Sequence, residues 1–324
     1  MKAIRIHKTG GPEVLSYEDF ELPPPASGQA RVRHTAVGVN FIDTYQRSGL
    51  YPLHGLPSGI GNEAAGHIEA LGGNVHGLKV GDRVAYCSGA IGAYAEANNV
   101  PADWLVKLPG DISDELAAAA LLKGMTAQYL LKRTYVVNAG ETILVHAAAG
   151  GVGMILCQWA KHLGATVIGT VGADEKIALA RAHGCSHVLS ERNDDIAKRV
   201  REITNGAGVP VVYDGVGKST FMASLDSLAV RGMMVSFGNA SGAVPGIEPL
   251  LLSTKGSLFL TRPTLAHYTR TAEELQMTAN DLFAVIESGA VKIEIRQRFK
   301  LAEARKAHEA LQARTTTGAT VLIP

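Results

Sequence analysis

The residues with the clearest chemistry form one run, Glu141 to Gly153, ETILVHAAAGGVG. A short apolar segment, Thr142 to His146, leads straight into a glycine-rich turn. Met154 to Leu163 follows, with Ile155, Leu156, Trp159, Ala160 and Leu163 on one helical face. Strand, glycine turn and helix is the arrangement that holds a dinucleotide pyrophosphate. Backbone N–H groups at the helix N-terminus point at the phosphates, and the helix dipole favours the anion. The strict G-x-G-x-x-G spacing is not met: Ala148 stands at the first glycine position, Gly150 and Gly153 at the others, with an extra Gly151. A second apolar segment, Ala165 to Val171, lies directly behind. That context favours nucleotide binding over a merely structural turn.

The rest of the chain has to position that run. At 324 residues it is long enough for two domains. A formal net charge of +1 gives no electrostatic case for nucleic acid or an anionic membrane. Cys87, Cys157 and Cys185 are far apart and form no C-x-x-C, so they read as small buried residues rather than a disulfide or zinc framework. The first residues, MKAIRIHKTGG, carry no signal-peptide core, and no apolar run spans a membrane. The expected compartment is the cytoplasm.

Residues 1–123 alternate short apolar runs with turn signals, and strands are expected at Ala3 to Ile6, Gln29 to Val37, Glu63 to Leu71, Arg83 to Tyr86 and Tyr94 to Asn98. Strands so spaced imply a compact, barrel-like β domain. Ser113 caps a helix through Leu122, Gly124 is expected to interrupt it, and a second helical stretch runs from Thr126 to Arg133. From 141 the rhythm becomes alternating strands (142–146, 165–171, 187–190, 210–214, 232–237, 257–261) and helices (152–163, 174–183, 193–204, 219–229). This α/β alternation implies a doubly wound parallel sheet covered on both faces. The tail opens with a capping-box helix from Thr271 to Gly289, then a helix at 301–313 and a last strand, Ala319 to Ile323. The expected division is 1–123, 124–262 for the nucleotide domain, and 263–324 returning to the first domain.

With these residues in view, the chain resembles the quinone oxidoreductase branch of the medium-chain dehydrogenase/reductases, the branch that includes zeta-crystallin. The match rests on Gly10-Gly11-Pro12-Glu13-Val14-Leu15, Val39 to Tyr45, Gly61-Asn62-Glu63-Ala64-Ala65-Gly66, His146 to Gly153, and Phe237-Gly238-Asn239. The resemblance implies a GroES-like β-barrel catalytic domain, a Rossmann domain, an active-site cleft between them, and a homodimer joined along the strand Ser257 to Thr261.

Zinc dehydrogenases of the same superfamily place a ligand histidine in a G-H-E stretch. Asn62 stands there instead, a poor zinc ligand, and no cysteine precedes residue 87. No metal is therefore expected. Without a Lewis acid, a plain ketone is hard to activate, whereas a quinone or enone gives a stabilised phenolate or enolate. The expected reaction is NADPH-dependent quinone reduction. A zinc-free enone or alkenal reductase is the rival enzyme, and an RNA-binding or crystallin-like role the rival outside catalysis.

For the reacting centre the resemblance points to the loop carrying Asn40, Asp43, Tyr45 and Tyr51. Asn40 and Tyr45 would donate hydrogen bonds, Tyr51 would supply a flat wall and a phenolic proton, and Asp43 would act there or simply order the loop. Around the cofactor it implies Phe41, Ile42, Thr44, Lys123, Thr126, Tyr129, Gly150, Gly151, Val152, Gly172, Phe237, Gly238, Asn239, Leu260, Thr261 and Arg262. Lys176 and Arg314 match the cations that meet a 2′-phosphate in family members. Glu191 stands where they carry a tyrosine, a departure: a carboxylate beside a phosphate is unfavourable, so Glu191 is expected either to point away or to weaken 2′-phosphate binding, with Arg192 next to it as a compensating cation.

Overall fold

The computed structural model describes residues 1–87 and 89–324. The chain divides into two compact units: Met1–Met125 with Tyr268–Glu287 and Ile293–Pro324, and Thr126–His267 with Ser288–Lys292. The boundaries expected at 124 and 263 thus fall at 126 and 268 in this division.

The first unit is built on β-sheet. One sheet runs Ile295–Lys300, Ala319–Ile323, Gln29–Val39, Glu63–Leu71, Arg83–Cys87, Val106–Lys107, and Ala97–Pro101 also pairs with Gln29–Val39. A smaller sheet sets Lys2–Ile6 between Ser16–Asp19 and Ser58–Gly59. The inward positions, Ile4, Val32, Ile68, Tyr86 and Tyr94 among them, form one core with Leu301 and Ala304 from the tail. Ile295–Lys300 is not legible as a strand because half of IRQRFK is charged. It lies at the sheet edge with alternate residues exposed, and its parallel pairing with Ala319–Ile323 makes it a strand.

Two expectations are corrected here. Gly124 does not break a helix: one helix runs from Asp114 to Tyr129, and a π-helical turn, Leu130–Thr134, continues it. The glycine serves packing, since a Cβ there would lie 2.3 Å from Leu282 Cδ1. Likewise Asn40 to Tyr51 is not simply a loop, because Phe41–Ser48 is helical and ends at Gly49 in the left-handed region. Elsewhere, Ser113 caps its helix through Oγ, which accepts from Leu116 N at 3.1 Å, and Thr271 caps Ala272–Glu287 through Glu274 N at 3.2 Å.

The second unit is a six-stranded parallel sheet in the order His187–Ser190, Thr166–Val171, Thr142–Val145, Val209–Asp214, Leu228–Ser236, Phe259–Thr261. The order reverses beside Thr142–Val145, which is the doubly wound Rossmann pattern with its switch point at the glycine turn. The helix expected at 219–229 is shorter, Phe221–Ser227, and the next strand begins at once because Leu228 is drawn fully into the core. Cys157 and Cys185 meet inside this unit, and that hydrogen bond, with burial, pushes the Cys157 thiol well above the usual range.

The helix Gly151–His162 packs hard against the turn before it. A Cβ on Gly153 would lie 2.2 Å from Ala147 O, a backbone atom that cannot swing aside. We predict that Gly153→Ala lowers stability by about 1–3 kcal/mol, read as a lower urea midpoint. Gly246→Ala, where nothing lies within 4 Å of the added carbon, stays within about 0.5 kcal/mol of wild type. Equal midpoints for the two variants would refute the packing argument.

Candidate functional site

In the second unit the glycine turn has two unusual features. Ala147 lies in the left-handed region at φ 52°, a conformation that costs a non-glycine residue energy. Gly150 is the residue before the helix, so the free N–H groups of the first helical turn begin at Gly151. Ala148 is fully buried and its N–H is bound to Thr170 O at 2.9 Å, which ties the turn to the neighbouring strand.

A row of buried polar side chains crosses the carboxyl ends of four strands. Asp214 is fully buried and satisfied by four donors: Val216 N at 2.8 Å, Gly217 N at 2.9 Å, Thr220 Oγ1 at 2.7 Å and Ser224 Oγ at 2.8 Å. Ser224 Oγ lies 3.0 Å from His146 Nε2, and His146 Nδ1 lies 2.9 Å from Thr170 Oγ1. Thr170 Oγ1 in turn donates to Glu191 Oε1 at 2.8 Å. Sequence reading passed over His146, Thr170 and Asp214. Their one signal was polar residues at strand ends in an otherwise apolar pattern.

Gly172 directly follows the second strand of this nucleotide fold, Thr166–Val171, and a 3-10 turn, Asp174–Lys176, comes next. Asp174 accepts from Ser190 Oγ at 2.5 Å and Asn193 Nδ2 at 2.9 Å, so it holds the loop after the third strand. On the other side of the sheet, Gly238 sits against Gly215, where a Cβ would come within 2.3 Å of Gly215 O. Arg262 donates to Ser236 O at 2.9 Å, and with the Asn239 amide oriented to pair donors with acceptors its Nη2 meets Asn239 at 3.2 Å. Arg262 is therefore tied to the end of the fifth strand. Leu260 lies on the edge strand beside it, and Thr126 and Tyr129 are buried on their helix.

In the first unit two buried carboxylates organise the candidate reacting residues. Glu63 is fully buried; it accepts from Asn40 Nδ2 at 2.7 Å, Leu122 N at 2.6 Å and Lys123 Nζ at 3.3 Å. Lys123, expected near the cofactor, has Glu63 as a buried partner that no local pattern reveals. Asp43 is also fully buried and accepts from Asn40 N at 2.8 Å, Asn62 Nδ2 at 2.7 Å and Tyr94 Oη at 2.9 Å. Asn62, at the position where zinc dehydrogenases carry histidine, spends its amide on Asp43 and on Gln46 Oε1 at 2.7 Å. Among the described residues no three His, Cys, Asp or Glu side chains gather as a metal-ligating group.

Phe41, Tyr45 and Tyr51 form an aromatic step, with Tyr45 and Tyr51 centroids 5.2 Å apart and Phe41 and Tyr45 6.3 Å apart. Ile42 is half-buried beside them, and Thr44 turns inward and caps Phe41 O at 2.7 Å. Arg314 belongs to this first unit and lies in the left-handed region at φ 56°.

Burial decides the charges here. It pushes Asp43 up to about 6, against the lowering effect of its donors. His308 is pushed down to about 3 by burial first and by Arg47 second, and His34 down to about 4 chiefly by burial. Arg47 can only donate, so His308 Nδ1, 2.9 Å away, accepts, and Nε2 carries the ring proton toward Tyr94 Oη at 3.0 Å.

The two histidines add stability above 6.5 that is lost as pH falls toward 4 and 3, while Asp43 adds stability below 3.8 that is lost as pH rises through about 6. Two larger downward shifts outweigh one upward shift, so wild type weakens on acidification below pH 6.5. Asp43→Asn removes the opposing contribution. Its stability gap to wild type should widen by about 1 kcal/mol between pH 7 and 5. A gap in urea midpoint that stays constant over that range would contradict the burial of a titrating Asp43.

Comparison with known proteins agrees with this fold. Residues 26–110 match the alcohol dehydrogenase GroES-like domain and residues 151–284 the zinc-binding dehydrogenase family. A quinone oxidoreductase of Pseudomonas aeruginosa is 55% identical over 323 residues, covering 100% of this chain and 99% of that protein. The crystal structure of Escherichia coli quinone oxidoreductase complexed with NADPH superposes with a TM-score of 0.98 at 50% identity, covering 100% of both chains. A 2-haloacrylate reductase of Burkholderia sp is 45% identical, with 98% of each chain covered. With both domain models matched and full-length relatives above 50% identity, the chain belongs to the quinone oxidoreductase family of the medium-chain dehydrogenases/reductases.

Proposed function

We propose that this chain is an NADPH:quinone oxidoreductase. The observation that carries the reading is the strand, glycine turn and helix at Thr142–His162, with Gly153 letting the helix start against Ala147 O. That cradle fits a dinucleotide: free N–H groups at a helix start and no side chain where the diphosphate must approach. Gly150, Gly151 and Val152 would hold the diphosphate, with Gly172, Lys176 and Arg314 at the adenosine end. Phe237, Gly238, Asn239, Leu260 and Arg262 would flank the nicotinamide, with Phe41, Ile42, Thr44, Lys123, Thr126 and Tyr129 completing the cofactor's surroundings. When bound, the reduced nicotinamide supplies a hydride from C4.

The chain's own residues orient the acceptor. The Phe41–Tyr45–Tyr51 step offers flat aromatic faces to a conjugated ring. Tyr45 and Tyr51 stabilise the developing oxyanion by hydrogen bonding. Asn40 is held by Glu63, and Asp43 fixes the start of the helix that carries Tyr45, so these two act through position. Asn62 gives a metal no anionic or imidazole ligand, and its amide is already engaged, so the reaction proceeds without metal. An acceptor of the haloacrylate type is the second reading, favoured by the Burkholderia relative.

The protein works in the cytoplasm, in keeping with three free, buried cysteines; no helix among the described residues is long and apolar enough to cross a membrane. It pairs with a second copy along Phe259–Thr261, the last strand of its sheet, where Phe259 is 57% exposed and Val230 75% exposed.

Steady-state kinetics should give a higher kcat/KM with NADPH than with NADH, and higher turnover with quinones than with 2-haloacrylates or alkenals. Turnover should survive exhaustive chelation. Tyr45→Phe and Tyr51→Phe should each lower kcat by about tenfold or more if they stabilise the oxyanion. Preference for enones would move the assignment to the second reading, and loss of activity on chelation would end the metal-free mechanism. Light scattering should report a dimer mass at micromolar concentration; a monomer would exclude the pairing along Phe259–Thr261.

A further inference from the structure

A carboxylate at the end of the second strand of a nucleotide fold is the feature that selects an unphosphorylated ribose, because it accepts from the 2′-hydroxyl and repels a 2′-phosphate. Here that strand ends at Val171, Gly172 and Ala173 follow, and the next acids, Asp174 and Glu175, lie in the turn beyond, where Asp174 is taken up by Ser190 and Asn193. The structure supplies a carboxylate from the neighbouring strand. Glu191 follows His187–Ser190, and its backbone N–H is bound to Val171 O at 2.9 Å. Its side chain lies back across the second strand, with Oε1 accepting from Thr170 Oγ1 at 2.8 Å. Its other oxygen, Oε2, stands 3.9 Å from the point where a Cβ on Gly172 would be. The carboxylate thus lies beside Gly172, at the end of the second strand.

Its position is built rather than incidental. Thr170 is fully buried and cannot turn away, and His146, also buried, backs the same hydroxyl at 2.9 Å. His146 is held from behind by Ser224 at 3.0 Å, and Ser224 by Asp214 at 2.8 Å. The row of polar groups across the sheet therefore ends in a fixed negative charge beside Gly172. The turn Asp174–Lys176 that follows carries both signs, Asp174 and Glu175 with Lys176.

We propose that Glu191 is the residue that sets cofactor choice in this chain: held by Thr170, it accepts from the ribose 2′-hydroxyl and narrows the preference for NADPH, so that NADH serves as a second reductant. This rests on the nucleotide reading above and deepens it. Thr170 is a positioning residue, acting only through Glu191.

The test is the binding of two cofactor fragments by calorimetry, 2′,5′-ADP and 5′-AMP, to the intact protein and three variants. Glu191→Gln keeps shape and an oxygen for Thr170 but removes the charge. The ratio of 2′,5′-ADP to 5′-AMP affinity should rise about tenfold, the size of a partly screened like-charge contact. Thr170→Val frees the carboxylate and should move the ratio the same way, and Thr170→Ser, which restores the hydroxyl, should return it to the wild-type value. A ratio in Glu191→Gln within about twofold of wild type, well below one such contact, overturns the inference while leaving the nucleotide site intact. Failure of wild type to bind either fragment overturns the nucleotide reading and the inference with it.

Discussion

A carboxylate taken out of water must find donors inside the protein, and Asp214 meets that demand with four. Two of the donors are backbone N–H groups of the turn after its strand, so the charge dictates the path of the chain there. The other two are hydroxyls of the segment that follows, one of them on the helix Phe221–Ser227, which fixes that helix against the sheet. Through Ser224 the same demand reaches His146 at the entrance of the glycine turn. The turn, the adjacent strand end and Glu191 therefore share one hydrogen-bonded row. Shape and charge at the nucleotide end of the sheet are set together.

The first unit repeats this logic with Glu63 and Asp43. Each is fully buried and each is held by donors from separate elements. Asn40 serves both, giving its side chain to Glu63 and its backbone N–H to Asp43. Loss of the Asn40 side-chain amide leaves the buried Glu63 carboxylate short of a donor, which costs more than the bond itself is worth. The Asp43, Tyr94, His308 and Arg47 row also joins the helix Phe41–Ser48 to the tail helix Ala304–Gln312. The C-terminal segment is in this way part of the frame behind the candidate reacting residues.

The position of Asn62 shows how one residue type changes the chemistry open to a shared fold. A histidine there offers a metal a lone pair. An asparagine offers an amide, and here that amide knits Asp43 to Gln46. The space is given to structure, and activation of the acceptor falls to hydrogen bonds and to an acceptor that stabilises its own reduced form.

Amino-acid order alone determined the parallel sheet, since apolar β runs alternating with amphipathic helices admit few other arrangements. It also determined the glycine turn, because only small residues allow that approach, and the caps at Ser113 and Thr271, whose hydroxyls act locally. Tertiary structure decided what local pattern cannot carry. Ile295–Lys300 is a strand only through its neighbour, Gly124 is a contact for Leu282 rather than a break, and Asn40 begins a helix rather than lying in a loop. Apart from Asn40, which is local to Asp43, the side-chain partners of Glu63, Asp43 and Glu191 are distant in sequence: Lys123 lies 60 positions from Glu63, Tyr94 51 from Asp43 and Thr170 21 from Glu191. Burial, which sets their charge, is a property of the packed molecule, and no window of sequence contains it.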